Sequence, residues 1–251
     1  RGDALFIGSN ATWARFKNTA ATAGAWAELV EAFEAAGDTA AQALQQTLAT
    51  AAPAIRGEVA DAIVRCAEKA LAAGQKDEAI RLYDLVSKAD VPQNRVLEGV
   101  RGAILARGRA GLPLLIELLK STDKKRFALG LKLTREIPAA EVTDALLAEL
   151  GRAAPARQAL LLMALADRAD PKSRGVLLQA AQTDVGAVRI AAIRGLKKVG
   201  DSSCWPVLLD AALDDDARIS EAAADILADV PAKEIDDLLV ARLQSASGTS
   251  R

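Results

Sequence analysis

Histidine is absent from the 251 residues, which removes the commonest general base and the commonest transition-metal ligand. The two cysteines, Cys66 and Cys204, lie far apart and neither belongs to a CxxC pair. No zinc, haem or Cys–His constellation follows from them, and most hydrolase mechanisms are excluded, leaving only carboxylate chemistry. Aromatic residues make up 3 % of the chain, too few for a β-sandwich, where aromatic and β-branched residues dominate. No apolar run approaches the roughly 20 residues that span a bilayer. A net charge of −1 lacks the basic excess that a general nucleic-acid or anionic-membrane binder needs. The sequence therefore implies no cofactor, no metal and no enzyme activity. What is plentiful is alanine, leucine and valine, in a chain that is 51 % hydrophobic. Small and aliphatic side chains suit close helix packing, so the expected class is all-α.

Along the chain, residues 1–22 read as an N-terminal arm, with Trp13 and Phe16 on a half-turn of helix. The chain opens without methionine or a signal-peptide core and closes on the Ser/Gly-rich 245–251, a flexible tail of linker type. These ends are expected of a fragment of a longer or processed protein, soluble and either cytoplasmic or exported. Residues 23–110 read as helical pairs. Trp26, Leu29, Val30 and Phe33 share one helical face, and a second helix runs from Thr39 to about Ala51 with Ala40, Leu44, Thr47, Leu48 and Ala51 inward. Cys66 lies on the stripe Ile55, Val59, Ala62, Ile63, Ala70 and is expected to be a small buried hydrophobe. Ala73-Gly74 separates that helix from one whose packing stripe is Ala79, Leu82, Tyr83 and Val86, and Pro92 opens another over Gln93 to Arg107. The phrase Lys76-Asp-Glu-Ala-Ile-Arg-Leu-Tyr-Asp-Leu-Val resembles the second helix of a tetratricopeptide repeat.

From Gly111 a period becomes measurable. Leu-Leu pairs recur at 114–115, 146–147, 177–178, 208–209 and 238–239, which sets unit boundaries near 111–138, 139–170, 171–201, 202–232 and a partial 233–244. Pro138, Pro171 and Pro231 mark the boundaries, since proline is tolerated only in a helix's first turn. Asp123, Asp184 and Asp215 stand where second helices should begin and are expected to cap them. The phrase Asp184-Val-Gly-Ala-Val188-Arg189-Ile-Ala191-Ala192-Ile-Arg-Gly-Leu196 resembles the second helix of a HEAT repeat, and the resemblance covers Gly111 to about Gln244. It implies an α-α superhelix: a right-handed solenoid of antiparallel helix pairs, one continuous stack, with second helices on the concave side. It also implies that Arg189 bonds an aspartate of a neighbouring unit in a ladder. The equivalents of Arg189 are Gln158 and Ser220, so the ladder is partial, with Arg126, Arg157 and Arg218 near enough to substitute. The whole chain further resembles bacterial HEAT-repeat domains within larger, often exported proteins.

Candidate binding residues are the cations expected on the concave face: Lys124, Lys125, Arg126, Arg157, Arg189, Arg194, Lys197 and Lys198. Charge is segregated. Between Pro92 and Arg135 ten cations face three acids, and between Asp201 and Asp237 eleven acids face two cations. That pattern suits either a solvated surface or an acidic partner and head-to-tail self-association. Trp205 keeps step with Leu208 and Leu209, which favours core packing over ligand stacking. The expected function is a non-enzymatic scaffold for a protein or peptide, or a spacer of other domains in a longer protein. The alternatives are a HEAT-like DNA glycosylase, which needs a basic groove and suitably placed aromatics, and a phycocyanobilin-lyase-like HEAT protein.

Overall fold

A computed structural model describes residues 45–248, and every element in that range is helical. The arm over residues 1–22, the helix around Trp26 and residues 39–44 of the expected Thr39–Ala51 helix lie outside the described residues, as does 249–251. The chain divides into two compact units, Arg1–Leu114 and Leu115–Arg251.

In the first unit, residues 45–50 are helical, with Thr47 and Leu48 buried, and Ala51 just beyond them is buried too. A 3₁₀ turn at Pro53–Ile55 then leads into α1 (Arg56–Ala72). Its stripe is as the spacing requires: Val59, Ala62, Ile63 and Ala70 are buried, while Cys66 is only half-buried at the edge of the core. Gly74 turns the chain at φ 80°, a conformation glycine adopts without steric cost. Helix α2 (Lys76–Lys88) follows, and all four of its stripe residues, Ala79, Leu82, Tyr83 and Val86, are buried. Helix α3 (Gln93–Arg107) packs along α2, closely enough that a Cβ on Gly102 would stand 2.2 Å from the Tyr83 ring. The pair is clamped at one end by Arg107, which donates to both carboxylate oxygens of Asp84 at 3.0 and 2.6 Å.

The second unit begins inside α4 (Leu112–Lys120) and continues α5 (Lys124–Glu136), α6 (Ala140–Leu150), α7 (Pro155–Arg168), α8 (Arg174–Ala180), α9 (Gly186–Val199), α10 (Trp205–Ala212), α11 (Ala217–Leu227) and α12 (Ala232–Gly248). Short first helices alternate with longer second helices, the element order of an α-α superhelix. The N-cap residues of the second helices, Asp123, Ala154, Val185 and Asp216, are each 31 residues apart. On the first helices Leu115, Leu146, Leu177 and Leu208 keep the same interval, and each is fully buried. The next position, Leu239 on α12, is 43 % exposed. The sequence pairing of Leu114 with Leu146 is thereby corrected to Leu115 with Leu146. Second helices pack directly on one another, α5 on α7, α7 on α9 and α9 on α11, whereas consecutive first helices scarcely touch. The second-helix layer is therefore the tighter one.

Candidate functional site

Because second helices repeat every 31 residues in the same orientation, equivalent positions form rows across the layer. One row exposed at every position is Lys132, Met163, Arg194 and Asp225, one residue from each of α5, α7, α9 and α11. A buried row repeats one chemistry, leucine. This exposed row changes chemistry at every step, from cation to thioether to cation to carboxylate. Between α7 and α9 lies a groove of about 250 Å³ whose lining is mostly apolar, with Met163, Ile190 and several alanines, and is charged at Asp167, Arg194 and Lys198. Met163 is half exposed and Leu160 beside it 44 % exposed. A second groove of about 200 Å³, between α9 and α11, holds Arg218, Glu221 and Asp225. Arg194 borders both grooves.

One turn nearer the helix C-termini a different row is closed by ion pairs. Arg135 reaches Asp167 at 2.6 Å, Lys198 reaches the other oxygen of Asp167 at 2.5 Å, and Lys197 reaches Asp229 at 3.0 Å. Burial by itself would raise the Asp167 carboxyl, but the hydrogen bonds from Lys198 and Arg135 outweigh it and hold the group below the ordinary carboxylate range. Of the three cations expected on α9, Lys197 and Lys198 are thus engaged within the protein, and Arg194 alone faces the grooves without an ion-pair partner among the described residues.

The remaining candidates separate by position. Lys124, Lys125 and Arg126 have exposed side chains in the first turn of α5, on the opposite edge of the layer from Arg194. The structure does not bring the two groups together. Arg157 is a structural residue: its guanidinium donates to Leu119 O at 2.6 Å and Ser121 O at 2.7 Å and lies 3.9 Å over the Phe127 ring. Those two carbonyls close the end of α4, where backbone acceptors have no helical partner. Arg189 joins neighbouring units, as the resemblance implied, with Asp214 of the next unit at 2.5 Å. Its Nε also donates to Ala181 O at 3.0 Å. Gln158, the same position one unit earlier, donates to Leu150 O, the carbonyl equivalent to Ala181 O, at 3.4 Å. The glutamine thus keeps the part of the role that needs a donor and loses the part that needs a charge. Arg218 pairs locally with Asp216 and Ser220 bonds only its own helix, so neither extends the ladder.

Two of the three expected caps are corrected. Asp123 does cap α5, accepting from Lys125 N and Arg126 N at 2.8 and 2.9 Å. Asp184 does not cap α9, because the helix starts after Val185, whose side chain has no acceptor. Asp215 does not cap α11; Asp216 does, accepting from Arg218 N at 2.9 Å. The sequence register was one residue early in both units. Trp205 rests against the core as expected and directs its indole N–H to Glu234 at 3.1 Å. Arg168 carries a role the sequence did not reveal. It donates to Thr134 O, to Ile137 O at 2.9 Å, to Ala139 O at 2.8 Å and to the Thr143 hydroxyl at 3.0 Å, fastening α7 to the preceding inter-helix turn.

No described helix is long and apolar enough to cross a membrane. Comparison with curated proteins finds no match. Comparison with protein families finds the model described as HEAT repeats over residues 143–228, which span α6 through α11. The tetratricopeptide-like phrase on α2 lies outside that match. With helix pairs at a 31-residue interval, second helices packed in sequence order and an Arg189–Asp214 bond between units, the matched stretch of this chain is an array of HEAT repeats.

Proposed function

We propose that the protein is a non-enzymatic scaffold whose second-helix layer, from α5 to α11, binds a protein or peptide partner, by itself or as a module that spaces other domains of a longer protein. The single observation that carries this is the contrast between rows. The buried leucines hold one interval and one role, while Lys132, Met163, Arg194 and Asp225 occupy equivalent exposed positions with four different side chains. Packing explains the first set, and nothing in the packing requires the second. An apolar groove with a charged rim next to that row is the form that peptide recognition takes. HEAT repeats generally serve as protein-interaction scaffolds, and the match to that family supports the same class. A phosphate-reading function fits less well, since Asp167 and Asp229 neutralise much of the layer's positive charge.

The test is selection of random displayed peptides on the intact chain. Selected peptides should lose binding to Met163→Asp and keep it with Gln179→Asp, on exposed first helix α8. Peptides that respond only to the outer substitution, or a selection that enriches none, would overturn the reading. Duplex DNA at low and high salt provides the counter-test, because a phosphate reader loses affinity steeply as salt rises.

A further inference from the structure

Resting on the scaffold reading, we propose that this layer binds an extended acidic segment of its partner, which crosses the helices with one bulky apolar side chain in the groove between α7 and α9 and a carboxylate to either side. Charge complementarity selects this occupant. Arg135, Lys197 and Lys198 are already satisfied by Asp167 and Asp229, whereas Lys132 and Arg194 are exposed and have no ion-pair partner among the described residues. They flank Met163 by one helix on each side. The apolar floor between them, Met163 with Ile190 and Ala191, favours an apolar side chain, with Asp167 and Lys198 at its edge already paired to each other.

The spacing follows from two lengths. Packed helices lie about 8–10 Å apart, and a chain extended in the polyproline II conformation advances about 3.1 Å per residue and returns every third side chain to one face, so roughly three residues separate contacts on successive helices. The recognised pattern is an acid, two spacers, a large apolar residue, two spacers and a second acid. Asp225, one helix beyond Arg194, extends it with two more spacers and a cation. The row thereby sets the order of the side chains as well as their composition, because exchanging the lysine with the first acid would place lysine over Lys132 and an acid over Asp225.

The probe is a fluorescein-labelled peptide of that pattern with leucine as the anchor and serine and glycine as spacers, titrated by anisotropy against the full chain. Binding should weaken about tenfold or more when the lysine and the first acid are exchanged and for Arg194→Glu, fall comparably for Met163→Asp, and decline with added salt. Replacing the acid that faces Arg194 by lysine should restore binding to Arg194→Glu, with far-UV circular dichroism confirming that each exposed variant is folded. Equal affinity for an uncharged or lysine-bearing peptide, or no recovery in the charge swap, overturns the acidic assignment. If such peptides still lose binding on Met163→Asp, the scaffold reading stands without it. Failure of every peptide version overturns this inference alone, and the display selection decides the scaffold reading independently.

Discussion

Arg157 and Arg194 carry the same charge in the same kind of helix, yet one closes the backbone of a neighbouring helix and the other faces solvent. Arg157→Ala leaves Leu119 O and Ser121 O without their charged donor and uncovers Phe127, and should destabilise the chain by about 3 kcal/mol in urea unfolding, with Arg157→Lys recovering little because an ammonium cannot make the planar fork. The caps separate equally well. Asp123→Ala should cost about 1 kcal/mol, while Asp184→Ala and Asp215→Ala, whose carboxylates cap no helix, should leave the unfolding midpoint unchanged. Asp167 predicts a pH dependence. Its folded-state pKa is lowered, so the folded chain binds that proton less readily than the unfolded chain does. The stability it contributes is complete above the ordinary carboxylate range near pH 4 and is lost as pH falls through the lowered value. The difference between wild type and Asp167→Asn in urea midpoint should therefore be present at pH 7 and shrink towards pH 3. The Asp123 cap was visible in the residues alone; the other roles were not, because each partner lies thirty or more positions away or, for Asp184 and Asp215, the outcome hangs on a one-residue shift in where a helix begins.

At the scale of the helix, most of the architecture was legible. Helix α3 begins after Pro92 and ends at Arg107, as spacing and Gly108 indicated, and the α2 stripe of Ala79, Leu82, Tyr83 and Val86 is buried throughout. Such features are legible because a periodic apolar face and a chain-breaking glycine act within one or two turns. What remained hidden was how closely elements approach. Gly102 marks the nearest approach of α3 to α2, where a Cβ would overlap the Tyr83 ring. Although alanine is the better helix former, Gly102→Ala should destabilise the protein by about 1–3 kcal/mol, measured by thermal unfolding, because the overlap outweighs the propensity gain of about 1 kcal/mol. The last helix, α12, holds the register of a first helix, but Leu239 is exposed where Leu208 is buried. An interval in sequence carries burial only where a neighbouring helix covers it.

Over the whole molecule, counting charges along the chain overstated the acidic segment. Asp201, Asp210, Asp214, Asp216 and Asp229 each meet an arginine or lysine of the same or a neighbouring repeat. With so much of that charge paired internally, the chain should sediment with the same coefficient at low and high salt, and a species that grows as salt is lowered would indicate head-to-tail association of basic and acidic segments. The amino-acid sequence by itself determined the helical class, the interval of 31, the buried leucine rows and the absence of histidine chemistry, because these follow from local periodicity, proline and composition. The tertiary structure decided which aspartate caps a helix, which arginine is spent on backbone carbonyls and which cations remain for a partner. Those outcomes depend on the registration of one helix pair against the next, where a shift of one residue turns a side chain by 100° and exchanges an internal partner for water.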